Sequence, residues 1–258
     1  MEGLDHKNTD QKDLNQKDLN QKGLNQKGLN RNVLKYIAIF AMVIDHVGMM
    51  FVPISTFPGV LCRVFGRLTA PIMCLFLSEG FAHTSSRKKY GIRLGIFALV
   101  SQVPYALAHY NTILKLDFNM IFTLFLCFLI LLVYEYMPDS NLRWVLIGGL
   151  IGASFICDWG IFAPLYVLGF YIYREDRKGQ LKAFITISIG LVILNVAFCL
   201  GQGYHWYGEL WQLGVFLFIP VLFLYNGERG SRAPFHKWIF YFFYPLHLLV
   251  LWLIKYIL

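Results

Sequence analysis

Charge is scarce in this chain. Of its 258 residues, 15% are Asp, Glu, Lys or Arg, where soluble domains carry roughly 25%, and so little polarity cannot cover the surface of a soluble domain of this length. Cysteine is scarcer. Cys62, Cys74, Cys127, Cys157 and Cys199 are odd in number, isolated and without a CxxC pair. That argues against a disulfide framework or a thiolate metal site, and the five read as small buried residues. There is no Walker loop, no dinucleotide fingerprint and no zinc-ligand spacing, so neither a metal nor a resident nucleotide cofactor is expected. The net charge is +8, yet no basic patch with interleaved aromatics lies outside the apolar runs, which argues against nucleic acid as a partner.

What the chain has is apolar length. Hydrophobic residues make up 57% and aromatics 17%, and mean hydropathy is +0.53. Apolar runs recur at close to the ~20 residues that cross a hydrocarbon core. They fall at 33–52, 60–81, 91–109, 119–136, 142–156, 160–173, 182–200, 209–225 and 238–257. This predicts an all-α, polytopic helical membrane protein with about nine transmembrane helices (range eight to ten) and the lipid bilayer as its medium. The fifth and sixth runs are short and meet at a tight turn, Cys157-Asp158-Trp159-Gly160, so they can also be read as broken or re-entrant helices.

Loop charge gives the orientation. Arg87, Lys88 and Lys89, then Arg174, Arg177 and Lys178, then Arg229, Arg232 and Lys237 fall in alternate loops, and the opposite loops hold essentially only Lys115. By the positive-inside rule, the N-terminus is expected in the cytoplasm and the C-terminus outside, and the expected location is a bacterial cytoplasmic membrane, crossed several times.

Residues 1–32 are of different material. From Gln11 the chain reads QKDLN, QKDLN, QKGLN, QKGLN. The leucines of this five-residue repeat drift around a helical wheel, so no amphipathic helix follows. The tail is expected to be disordered, ahead of a transmembrane domain over 33–258. With no apolar core near Met1, it does not read as a signal peptide, and the first run should act as an uncleaved anchor.

Ionisable groups inside apolar spans are costly and usually mark a site or a buried pair. The first run carries Asp45-His46. The second carries Arg63 and Arg67 one turn apart, then Glu79 and His83 one turn apart, with Pro71 between the pairs as a kink. The last carries Tyr244-Pro245-Leu246-His247. One reading is a buried ion-pair network in which Arg63 or Arg67 neutralises Asp45. The other makes His46 a general base oriented by a carboxylate, with arginines holding an anion nearby. Adjacent helical residues diverge by about 100°, so Asp45 could pair with Arg63 or Arg67, leaving Glu79 as a rival orienter. Tyr244, His247 and His83 are supporting candidates. His205 and His236 read as loop residues, and His109 lies at a helix end.

At these residues the sequence resembles the TraX family of membrane proteins. The matching stretches are LKYIAIFAMVIDHVGMMF (34–51), CRVFGRLTAPIMCLFLSEGFAHTSSRKKYGIRL (62–94), FALVSQVPYALA (97–108), LYNGERG (224–230) and KWIFYFFYPLHLLVLWLIKYI (237–257). Between about 120 and 210 only the hydropathy is similar. The resemblance implies a conjugation-associated acetylase of a pilin N-terminal amine, akin to transmembrane acyltransferases that use acyl-CoA. Many of those carry an Arg eleven positions before a His on the first helix. Here Lys35 and His46 have that spacing.

The expectation is therefore an O- or N-acyltransferase with acetyl-CoA or another acyl-CoA as co-substrate and an amine or hydroxyl acceptor not identified by the sequence. His46 would be the base, Asp45 or Glu79 its orienter, and Arg63 or Arg67 the oxyanion donor. Arg87, Lys88, Lys89, Arg229 and Arg232 could meet the phosphates of acyl-CoA, although ordinary topology accounts for those charges too. A transporter or flippase, or a non-catalytic assembly factor for conjugation or secretion, is the alternative. The buried charges would then serve a substrate pathway or the fold alone.

Overall fold

The computed structural model describes residues 28–231 and 233–257. Helices dominate, in the order α1 (Arg31–Phe51), α2 (Phe57–Gly66), α3 (Thr69–His83), α4 (Arg87–Tyr110), α5 (Met120–Tyr136), α6 (Asn141–Ala153), α7 (Phe162–Ile172), α8 (Arg177–Gly201), a 3₁₀ segment (Trp206–Leu217) running into α9 (Phe218–Leu224), and α10 (Pro234–Tyr256). Each expected apolar run is helical. Among the described residues, six stretches are long and apolar enough to cross a membrane: 31–51, 57–83, 87–110, 177–201, 206–224 and 238–256. The apolar helices 120–136, 141–156 and 162–172 are shorter, so six candidate spans are supported by length and composition where about nine are expected from the sequence. The chain is a multi-pass helical membrane protein.

Local chemistry sets the ends. Asn30 caps α1 by accepting from the Asn32 and Val33 amides, Ser86 caps α4 and Asn119 caps α5, each satisfying amides that a helix start leaves free. The second run breaks between Gly66 and Thr69 because Pro71 has no N–H to return to the Arg67 carbonyl. Pro104 and Pro245 lie inside α4 and α10, which continue through them.

Helix α3 is the axis of the bundle. Ala70 through Ser78 are all buried, the pattern of a helix apolar all round. Helices α1, α5 and α7 pack against it. Phe40, Leu99, Phe198 and Phe223 stand exposed on outer faces, as lipid-facing side chains do.

The stretch 206–224 is unusual. Its first twelve residues are 3₁₀, where runs beyond three or four residues are uncommon. At ~2.0 Å per residue that segment, followed by seven α-helical residues at 1.5 Å each, spans about 34 Å, where nineteen α-helical residues would span about 28 Å. Gly214 lets it lie against α2, since a Cβ there would stand 2.1 Å from the Val64 carbonyl oxygen. Gly214→Ala is expected to cost about 1–3 kcal/mol by overpacking, lowering the unfolding midpoint in detergent by several degrees. Gly208→Ala on the same row meets only the Cys199 sulfur at 3.5 Å and should leave the midpoint in place. Equal midpoints for the two variants would refute this packing.

Among the described residues, two short bridges tie loops together. Leu29 pairs with Tyr225, through Leu29 N–H to the Leu224 carbonyl (2.7 Å) and Asn226 N–H to the Leu29 carbonyl (3.1 Å). Phe118 pairs with Cys157 and also accepts from the Asp158 amide (2.7 Å). Helix α1 thus begins two residues before the expected 33. Of the tail expected to be disordered, residues 1–27 lie outside the described residues.

Candidate functional site

One stripe of α1 connects two cavities. Arg31, Lys35, Ala38, Met42, His46 and Met49 follow one another at three- and four-residue steps and so share a face. Arg31 and Lys35 line a cavity of ≈540 Å³ at one end of the bundle. Asp45, His46 and Met49 line a second, of ≈320 Å³, toward the other end.

In the smaller cavity His46 meets His247 of α10, with Nδ1 2.7 Å from the His247 Nε2. The other nitrogen of His247, Nδ1, is 2.8 Å from the Phe243 carbonyl oxygen, which can only accept. His247 therefore donates from Nδ1 and accepts at Nε2, and His46 donates from its own Nδ1. This chain of donors leaves Nε2 of His46 as an unprotonated lone pair in a residue that lines the cavity. His109 stands edge-on to His46, ring centres 5.7 Å apart, and donates from Nδ1 to the Tyr105 carbonyl (3.1 Å).

Asp45 serves a different partner. It accepts from Arg63 at 2.8 Å and lies 3.8 Å from Arg67. Arg67 is held between the rings of Trp159 and Trp211, each 4.6 Å away, and Arg63 sits 4.7 Å from Trp211. Gly66 makes room for this pairing, since a Cβ there would meet the Asp45 side chain at 2.1 Å. The expected carboxylate orienter of His46 is therefore replaced by a histidine. Glu79 is elsewhere, accepting from the Tyr225 hydroxyl at 2.6 Å, and it does not line the His46 cavity. His83 donates to the Glu79 carbonyl (3.0 Å). Tyr244 is buried between the cavities, its oxygen accepting from the Met120 amide at 3.4 Å.

Sequence reasoning passed over several lining residues. Asp117 accepts from Tyr105 (3.3 Å) and from Tyr110. Asp158 belongs to the turn that reads as a mere connector, and burial pushes its carboxyl up to about 6. In that turn Trp159 has φ +64° and Gly160 φ +35°, a conformation that costs a tryptophan on the order of 1–3 kcal/mol. The available signal was weak, a single acid at the edge of an apolar run.

The larger cavity is basic. Arg31, Lys35, Arg93, Arg229, His83 and His236 line it, and among the described residues no acidic side chain does. Arg31 donates to the Phe76 carbonyl (3.1 Å) and Lys35 to the His236 carbonyl (2.5 Å). Arg93 lies against the rings of Tyr90 and Tyr241, 5.2 and 5.3 Å away. The Nε atoms of Arg31 and Arg93 are buried without a hydrogen-bond partner, and buried polar groups are ordinarily paired. Of the basic residues picked from the loops, Arg229 lines this cavity. Arg87 turns to Tyr136 (2.6 Å) and Glu135 (3.4 Å), Lys88 and Lys89 are not among the lining residues, and Arg232 lies outside the described residues. Arg31, Lys35 and Arg93 take their place.

A family model described as TraX protein matches residues 30–255. A probable fimbrial assembly protein, FimC, of Dichelobacter nodosus is 33% identical over 228 residues, covering 84% of this chain and 92% of that protein. An uncharacterized protein of Rickettsia prowazekii (strain Madrid E) is 26% identical over 173 residues, 63% of each chain. No solved structure matches the chain.

Proposed function

The chain belongs to the TraX family, and from that premise we propose that it is an integral membrane acyltransferase that moves an acyl group, acetyl in the simplest case, from acyl-CoA to an amine or hydroxyl. The observation that carries this reading is the His46–His247 pair, which leaves a histidine lone pair free in a polar cavity inside a membrane bundle. A base so oriented has a task that a structural ion pair does not require.

The basic cavity faces the cytoplasm and holds the phosphates of the donor on Arg31, Lys35, Arg93 and Arg229. His46 Nε2 takes the proton of the acceptor N–H or O–H while the acceptor attacks the thioester carbonyl carbon. Arg67 faces the charge that develops on the carbonyl oxygen. His247 Nε2 accepts from the imidazolium and steadies it. The C–S bond then breaks, and His46 returns the proton to the departing sulfur, so no proton is gained or lost for a neutral acceptor. His46 belongs to the outer half of an N-in first helix, so the acceptor comes from outside, with a pilin-like protein as the candidate that the fimbrial relative's name suggests.

The test is acetyl-CoA binding to detergent-purified protein by calorimetry, with Arg31→Gln/Arg93→Gln beside the wild type. Saturable binding, weakened at least about tenfold by losing two charge-assisted contacts, is the expected result. Absence of binding to folded wild-type protein would defeat the reading. A second reading, a non-catalytic assembly factor, draws on the Asp45–Arg63–Arg67–Trp211 cluster, which suits a purely structural network, and on the relative's name.

A further inference from the structure

The two cavities are separated by a narrow septum. On α1 it consists of Ala38 and Met42, on α10 of Tyr244, and on α4 of Ala98 and Ser101, all buried. The α4 residues Tyr90, Leu94, Ala98, Ser101, Tyr105 and His109 form one inward stripe at three- and four-residue steps. Tyr90 and Leu94 line the basic cavity, and Tyr105 and His109 line the cavity of His46. Ser101 therefore sits between them. Helix α10 packs against both α1 and α4, so the septum is built from the inward faces of all three.

Ser101 is out of place there as a structural residue. It is fully buried, and its hydroxyl has no hydrogen-bond partner. A serine inside a helix ordinarily turns its hydroxyl to the carbonyl one turn back, and a buried hydroxyl without a partner costs roughly 1–3 kcal/mol. A wall made only to separate the cavities would place alanine at this position, as it does at 38 and 98.

We propose that Ser101 is a positioning residue for the acyl donor, its hydroxyl donating to an amide carbonyl of the pantetheine arm as the arm passes between α1 and α4. This rests on the acyltransferase reading. A donor whose phosphates bind at Lys35 and whose thioester reaches His46 must cross the rise of eleven helical residues, about 16 Å. An extended pantetheine arm has that reach and carries amides along its middle. Ala38, Ala98 and Ser101 are almost fully covered in the free protein, so the arm enters by parting the helices where the two alanines leave the least side chain to move, and Ser101 is the polar group it meets. The hydroxyl that has no partner in the free protein acquires one in the complex.

The experiment compares wild type with Ser101→Ala for two probes. One is acetyl-CoA, which contains the arm. The other is adenosine 3′,5′-bisphosphate, which carries phosphates and no arm. The expected result is a weakening of acetyl-CoA binding by about tenfold, unchanged binding of the bisphosphate, and a thermal midpoint equal to or above that of the wild type, because an unpaired buried hydroxyl has been removed. Wild-type affinity of Ser101→Ala for acetyl-CoA overturns the proposal and leaves the acyltransferase reading standing. Equal weakening of both probes, or a lowered midpoint, assigns Ser101 to the fold and also overturns it. Failure of the wild type to bind acetyl-CoA defeats the underlying reading, and the proposal with it.

Discussion

His46→Gln is expected to reduce acyl transfer by about 10²- to 10⁴-fold, the usual worth of a positioned general base, with donor affinity and thermal midpoint close to those of the wild type. The reason lies in the order of donors. Phe243 offers a carbonyl, so His247 must donate from Nδ1, and His46 must then donate from its own Nδ1. Glutamine can still donate toward His247, but it has no basic lone pair to receive a proton. His247→Gln should fall less far, since an amide oxygen can still accept from His46. The double variant should be little worse than His46→Gln alone, because the two histidines act as a unit. Single-turnover transfer from radiolabelled acetyl-CoA, with each variant's folding checked by its thermal midpoint, makes the comparison. Transfer by folded His46→Gln at the wild-type rate would remove His46 from the mechanism.

Asp45→Ala should produce the largest loss of stability, on the order of 3–5 kcal/mol, or about 10 °C in the unfolding midpoint for a chain of this size. Asp45 is mostly buried and neutralises Arg63 directly and Arg67 at longer range. Without it, two guanidinium groups remain in the bundle with aromatic faces as their main neighbours, and cation–π contacts are worth about 0.5–2 kcal/mol each. Removing Arg63 together with Asp45 should recover part of the loss, since residues in one charge network do not act additively. A midpoint for Asp45→Ala within a degree of the wild type would mean that water or lipid headgroups already compensate the arginines.

These two residues also mark how far the sequence could be read. The helices were legible because span length is written in runs of apolar residues. The link between Asp45 and Arg63 was legible too, since 18 residues and one helix reversal separate them. The link between His46 and His247 was not. It joins residues 201 apart through packing of the first and last helices, which no local pattern encodes. Glu79 looks equivalent to Asp45 in sequence, yet it lies away from the His46 cavity and accepts from Tyr225 where Asp45 pairs with arginines. Arg87 looked accessible to a ligand in a loop-charge argument, yet it is spent on Glu135 and Tyr136, whereas Arg31 and Arg93, inside helices, line the cavity. The 3₁₀ segment was invisible because hydropathy reports how apolar a residue is and says nothing about rise per residue.

The turn at Trp159 leaves that position with no good substitute. Its backbone, at φ +64°, favours glycine or asparagine, while Arg67 calls for a broad aromatic face at the same place. Glycine would relax the chain and uncover the guanidinium. Phenylalanine would keep a smaller face and the same unfavourable dihedral. Neither replacement meets both demands, so the tryptophan sits at a local optimum that neither demand would select by itself.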